Sequence, residues 1–126
     1  YYNRGFARMN LNDYEGAIAD YDKAIAINPE YAIAYFNRGV TRYHLDDFEG
    51  AVSDYTKSIE INVDDADGYL NRGLIYFKIG NDKFACQDFK KAASLGNQFS
   101  ASWLKSDKGK WCLSNTLDVK KVFLFH

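Results

Sequence analysis

The chain is 126 residues long, 47% hydrophobic and 26% charged, the balance of one ordinary folded domain and not of a disordered or membrane-spanning segment. A formal net charge of −1 excludes the Lys/Arg excess that non-specific nucleic-acid binding needs, and no run of about 18 apolar residues is available to a bilayer. Ten Tyr, nine Phe and two Trp exceed what a small helical core requires, so part of the aromatic supply is expected on a binding surface.

Tyr2-Asn3-Arg4-Gly5 opens a first helix, which breaks at the polar pair Asn12-Asp13. Ala17, Ile18, Tyr21 and Ile25 then recur at helical spacing and define a second helix. Asn28-Pro29 ends the unit, because proline cannot extend a helix and restricts the residue before it. The same block returns 34 residues later as Phe36-Asn37-Arg38-Gly39, a break at Asp46-Asp47, the apolar set Ala51, Val52, Tyr55 and Ile59, and a separator at Asn62-Val63. A further step of 34 gives Leu70-Asn71-Arg72-Gly73, a break at Gly80-Asn81, Ala85 and Phe89, and a separator at Gly96-Asn97. Asp20, Asp54 and Asp88 share one register, as do Lys23, Lys57 and Lys91. Each unit is therefore a helical hairpin, and the short polar pairs suit capping of its second helix.

Gly5, Gly39 and Gly73 on the first helices, with Ala17, Ala51 and Ala85 on the second, predict close approach of the two. The third unit departs by placing Asp82 where Tyr14 and Phe48 stand and Phe84 where Gly16 and Gly50 stand, so its second helix is expected to shift or to pack differently. Residues 99–108 read as a capping helix and 109–126 as an irregular or extended tail. The β-forming, apolar run from Thr116 to Phe125 is expected to be held in a groove or against a neighbour.

The period and its Gly, Ala, aromatic, Ala and Pro signature resemble the tetratricopeptide repeat over residues 1–98, as units 1–31, 32–65 and 66–98. The first unit enters a few residues into the family's first helix. The resemblance implies an all-α, right-handed superhelical solenoid of antiparallel hairpins. It further implies a protein-interaction scaffold without enzymatic activity, whose first helices line a concave groove that binds a peptide segment of a partner. In that register the groove residues are Asn3, Phe6, Asn10, Phe36, Asn37, Val40, Tyr43, His44, Leu70, Asn71, Leu74, Phe77 and Lys78, with Tyr2, Met9, Ile33 and Asp67 on the same faces. Asn3, Asn37 and Asn71 resemble the asparagine ladder with which some members grip a peptide main chain; an amide there can also bond a neighbouring helix and set repeat geometry. Phe6, Phe36, Tyr43 and Phe77 offer apolar sockets.

The carboxylate clamp used by chaperone adaptors of this family wants Lys at Tyr2, Asn at Phe6, Asn at Asn37, Lys at Asp67 and Arg at Asn71, so a single match argues against that ligand. Arg4, Arg38 and Arg72 against Asp20, Asp54 and Asp88 predict a charge ladder that sets repeat register. The structural alternative is a segment of a longer solenoid that self-associates through its ends, through Trp103 and Trp111, or through the tail.

No catalytic, cofactor or metal constellation is legible: His44 and His126 stand apart from any nucleophile, and the two cysteines lack zinc spacing and make no disulfide framework. Cys86 shares the register of Ile18 and Val52 and reads as a small buried apolar residue, and Cys112 as a lone thiol in a Lys-rich stretch. The cysteine content permits a cytoplasmic address without establishing it. The opening at Tyr1 without Met leaves an upstream segment, even a catalytic one, open.

Overall fold

The structure, a computed structural model, describes residues 1–112. In chain order the helices are α1 (Tyr2–Asn10), α2 (Tyr14–Ile27), α3 (Ala32–His44), α4 (Phe48–Ile61), α5 (Ala66–Lys78), α6 (Asp82–Ser94) and α7 (Gln98–Lys105). Backbone at 107–112 is helical again, and there is no strand among the described residues. The expected docking of Thr116 to Phe125 lies outside these residues.

The polar pairs between helices divide two tasks. The first member turns the chain: Asn12, Asp46 and Gly80 take φ of 65°, 59° and 85°, left-handed values that Gly, Asn and Asp tolerate best. The second member caps the next helix. Asp13, Asp47 and Asn81 accept the N–H of Gly16, Gly50 and Phe84 at 3.1, 3.0 and 3.3 Å. The same device joins the capping helix, with Gly96 at φ 96° and Asn97 accepting the Ser100 N–H at 2.8 Å. Hairpin-to-hairpin links differ. Asn28 folds its side-chain oxygen onto the Glu30 N–H at 3.2 Å, and Pro29 ends any helical continuation.

Within each hairpin the bare flank of a glycine rests on the aromatic of the second helix. A Cβ added to Gly5 would lie 3.0 Å from the Tyr21 ring, one on Gly39 3.1 Å from Tyr55, and one on Gly73 3.1 Å from Phe89. Ala17, Ala51 and Ala85 are fully buried beside these rings, and Phe36, Val40 and Ile75 close the central core around Ala51 and Tyr55. Stacked in series, the three hairpins and α7 form an all-α, right-handed superhelical solenoid.

Of the two outcomes expected for the third hairpin, a shift does not occur and a difference in packing does, and the expected irregular tail is corrected as far as residue 112. The third hairpin keeps its register: α6 starts at Asp82, 34 residues after α4, and the Phe84 N–H takes the same cap bond as its glycine counterparts. The Phe84 ring turns outward, edge-on to Tyr76 at 5.3 Å, so it costs the core nothing. The chain from residue 109 is not irregular as far as 112. Ser106 restarts the helix, its hydroxyl accepting the Gly109 N–H at 3.2 Å, and Gly109 supplies the close approach to the Trp103 carbonyl and Leu104 backbone that any Cβ would block.

A ladder of charge runs through the stack. Arg4, Arg38 and Arg72 each grip a buried aspartate with two hydrogen bonds, the pairs with Asp20, Asp54 and Asp88 all including one of 2.7 Å. Arg38 also reaches back to Asp22 at 2.8 Å and Arg72 to Thr56 at 3.1 Å, pinning each hairpin to the one before. Asp20 and Asp54 take a second arginine, Arg8 and Arg42, at 3.0 and 2.9 Å. The equivalent third position is Tyr76, so Asp88 has one arginine. The carboxyl pKa values of Asp20 and Asp88 move in opposite directions. The Arg4 hydrogen bond holds Asp20 below the ordinary carboxylate range, whereas burial pushes Asp88 up against the pull of Arg72.

Gly39→Val forces a branched side chain into Tyr55, and we expect a loss of about 1–3 kcal/mol, read as a lower urea midpoint at unchanged m-value. The ladder gives opposite pH signatures. A depressed folded-state pKa means that the Asp20 contribution is present above the unfolded value, ordinarily 3.8, and is lost as pH falls through the folded one. A raised pKa at Asp88 means that the folded state binds the extra proton, so acidification through that window favours folding there. Amide exchange on lowering the pH below the ordinary carboxylate value should accelerate in α1 and α2 before α5 and α6; the reverse order contradicts the assignment.

Candidate functional site: the face of the first helices

Helices α1, α3 and α5 lie side by side on one face, tied across repeats by Asn37 donating to the Tyr2 phenol at 2.8 Å and by Lys78 Nζ donating to the Tyr43 hydroxyl at 3.4 Å. Four large apolar side chains of that face remain open to solvent: Phe6 at 42%, Ile33 at 44%, Leu74 at 39% and Phe77 at 37% exposure. Phe36, Val40, Tyr43 and Leu70 are half-buried, because their inner sides belong to the core: Phe36 meets Tyr55 edge-on at 5.4 Å, and Leu70 packs on the cluster around Phe89. Tyr43 leans on Phe48 at 5.8 Å, and the Lys78 ammonium lies 5.2 Å from the Tyr43 ring and 5.4 Å from Phe48. His44 stacks flat on Tyr14 of the preceding hairpin at 5.2 Å.

The three asparagines do not share one environment. Asn3 is exposed at the edge of a hollow of about 270 Å³ formed with Tyr1, Tyr2 and Tyr31. Asn37 is 6% exposed, covered by the Tyr2 ring whose hydroxyl it bonds. Burial pushes the Tyr2 phenol pKa up, against the pull of that bond, so it stays protonated at neutral pH. Asn71 turns its amide N–H onto the Asp67 carbonyl at 2.9 Å. Asn10 is exposed at the end of α1.

Sequence reasoning missed how the face continues past α5. Trp103, placed by sequence at a self-associating end, packs on Phe89 at 4.4 Å and edge-on to Phe77 at 5.6 Å. A hollow of about 350 Å³ opens there, lined by Phe77, Asp82, Cys86, Trp103, Lys108, Trp111 and Cys112. The two cysteines are not separate thiols. They form a disulfide with Cα atoms 5.5 Å apart across 26 residues, a pairing that a lone pair of distant cysteines does not announce. Among the described residues, no group of three or more His, Cys, Asp or Glu could hold a metal ion, and no helix is long and apolar enough to cross a membrane.

Repeated hairpins, each closed by a glycine contact and stacked in series with one face left apolar and partly open, define a helical-repeat interaction scaffold. Models of the TPR repeat match residues 5–46 and 41–80, and a tetratricopeptide repeat model matches 66–97; the chain belongs to the tetratricopeptide-repeat family, scaffolds of protein–protein interaction. Solved structures of the family superpose on it. MamA is 32% identical with a TM-score of 0.73 over 75% of this chain and 52% of its own, so the chain spans about half the length of that protein. The second repeat domain of Spaghetti (RPAP3), bound to the HSP90 peptide SRMEEVD, is 26% identical with a TM-score of 0.72, over 75% of this chain and 87% of that one. The Arabidopsis OM64 TPR domain is 25% identical with a TM-score of 0.73, over 90% and 88%. No curated protein sequence matches the chain.

The asparagines give a direct check on their local roles. Asn37→Ala should cost about 1 kcal/mol, since a bond between repeats is lost, and Asn71→Ala less than about 0.5 kcal/mol at its more open position. Equal losses in chemical denaturation would contradict the distinct environments.

Proposed function

We propose that this chain holds an extended segment of a partner protein along α1, α3 and α5, anchored by apolar side chains. The observation that carries the reading is the open run of Phe6, Ile33, Leu74 and Phe77 on one face, where flat and branched surfaces can desolvate a ligand's own side chains. Around them, the Asn3 and Asn10 amides and the Asn71 carbonyl oxygen offer donors and acceptors to a main chain that has none paired. The structural relative in complex with a peptide supports the mode of use, and the chemistry here favours a different ligand. Tyr2, Phe6, Asp67 and Asn71 bring no cation to the clamp positions, and Asn37 is engaged by Tyr2, so the groove selects apolar anchors over a terminal carboxylate.

Self-association is the second reading, and the exposed Phe99 and Trp111 at the C-terminal end favour it. Sedimentation over a concentration series separates the two, since a groove binder alone keeps the mass of a single chain. Peptides selected by the immobilised protein from a random library should be rich in Leu, Ile and aromatics. Leu74→Asp should weaken them at least about tenfold, while Leu11→Asp, on the exposed hairpin edge, leaves them unchanged. Equal binding by the folded Leu74→Asp variant would move the site off this face.

A further inference from the structure

The disulfide sits where the first-helix face ends. Cys86 belongs to α6, and Cys112 lies in the helical stretch 107–112 that follows α7, at the end of the described residues. Both are buried against Ala85, Phe89 and Leu104, yet both also line the open hollow shared with Phe77, Trp103 and Trp111. That stretch folds back so closely that Gly109 lies on the Trp103 carbonyl and Leu104 backbone, and Lys90 Nζ donates to the Cys112 carbonyl oxygen at 3.3 Å. Within the turn, the Lys110 N–H also donates to the Ser106 carbonyl at 2.8 Å. The disulfide adds a covalent tie from this stretch to α6 across 26 residues.

We propose that the Cys86–Cys112 disulfide is a thiol-reversible staple, which sets whether residues 107–112 close or open the C-terminal end of the first-helix face. The reductant is a dithiol. One of its thiolates enters the hollow and attacks a cysteine Sγ, the S–S bond breaks, and the departing cysteine thiolate takes up a proton. The second thiol of the reductant then resolves the mixed disulfide, so two electrons and two protons pass to the protein and the dithiol leaves as its own disulfide. The hollow supplies the access that a buried disulfide otherwise lacks, and Lys108 and Asp82 place charges of both signs on its wall. Once the bond is cut, Trp111 and Lys108 leave the rim and Phe77 and Trp103 face water. The effect on a bound peptide rests on the groove reading above; the release of residues 107–112 does not.

The test uses the full chain in oxidised and dithiothreitol-treated forms. Thiol titration should rise from zero to two per chain, and tryptic cleavage after Lys105, Lys108 and Lys110 should become at least about tenfold faster, with the cleavage rate in α1 to α4 unchanged. Cys112→Ser should be cut at the reduced rate whether or not reductant is present. Cys86→Val, which refills the core in the register of Val52, should behave alike and so separates loss of the bond from loss of packing. Two free thiols in air-oxidised protein, thiols that native protein never yields to the dithiol, or equal cleavage in both forms would each overturn the proposal. Failure of the groove reading shows separately, as absence of peptide binding in both redox forms while the cleavage difference stands.

Discussion

A glycine flank pressed on an aromatic ring is the contact on which this solenoid depends. With about 3 Å between each ring and the place where a Cβ would stand, the two helices of a hairpin sit closer than ordinary side chains allow. Tyr21, Tyr55 and Phe89 are buried there, and the first helices contribute both to the core, through residues such as Ile75, and to the open face, through Phe6, Leu74 and Phe77. Repetition at 34 residues carries both the contact and the face along the stack.

The arginine ladder complements this packing with direction. An aspartate buried alone would be costly, but a planar guanidinium satisfies both of its oxygens and still has a nitrogen free to reach the previous hairpin. The apolar contacts are nearly indifferent to small slips along the helix axis, whereas a fork gripping one carboxylate and a second acceptor is not. Tyr76 takes the place of the second arginine in the last hairpin, yet Asp88 keeps the same two-bond grip from Arg72, so one guanidinium suffices for the geometry.

Much of this was legible in the sequence because it repeats. A glycine, an alanine and an aromatic returning three times at one offset fix the hairpin, its interior and its outward face together. Polar pairs at the turns announced the cap, while the left-handed residue beside it came only with the structure. What stayed hidden is what occurs once. The cover of the Tyr2 phenol over Asn37 joins residues 35 apart through a rotamer choice that no period encodes. The pairing of Cys86 with Cys112 depends on a chain reversal at Ser106, where Gly109 marks a close crossing. Phe84 misled in the other direction: a large residue at a glycine position suggests displacement only if its ring must point inward, and here it points to solvent.

The bond between Tyr2 and Asn37 has a thermodynamic consequence for any guest of this face. A ligand carbonyl that takes the Asn37 amide must first evict the phenol, so one hydrogen bond is exchanged for another and the count is unchanged. Such a site has no net polar gain to offer at its centre. Under the proposed mode of binding, discrimination among guests resides in how well each fills the space beside Phe6, Leu74 and Phe77, and a guest with matching polarity but poor shape gains nothing from reaching Asn37.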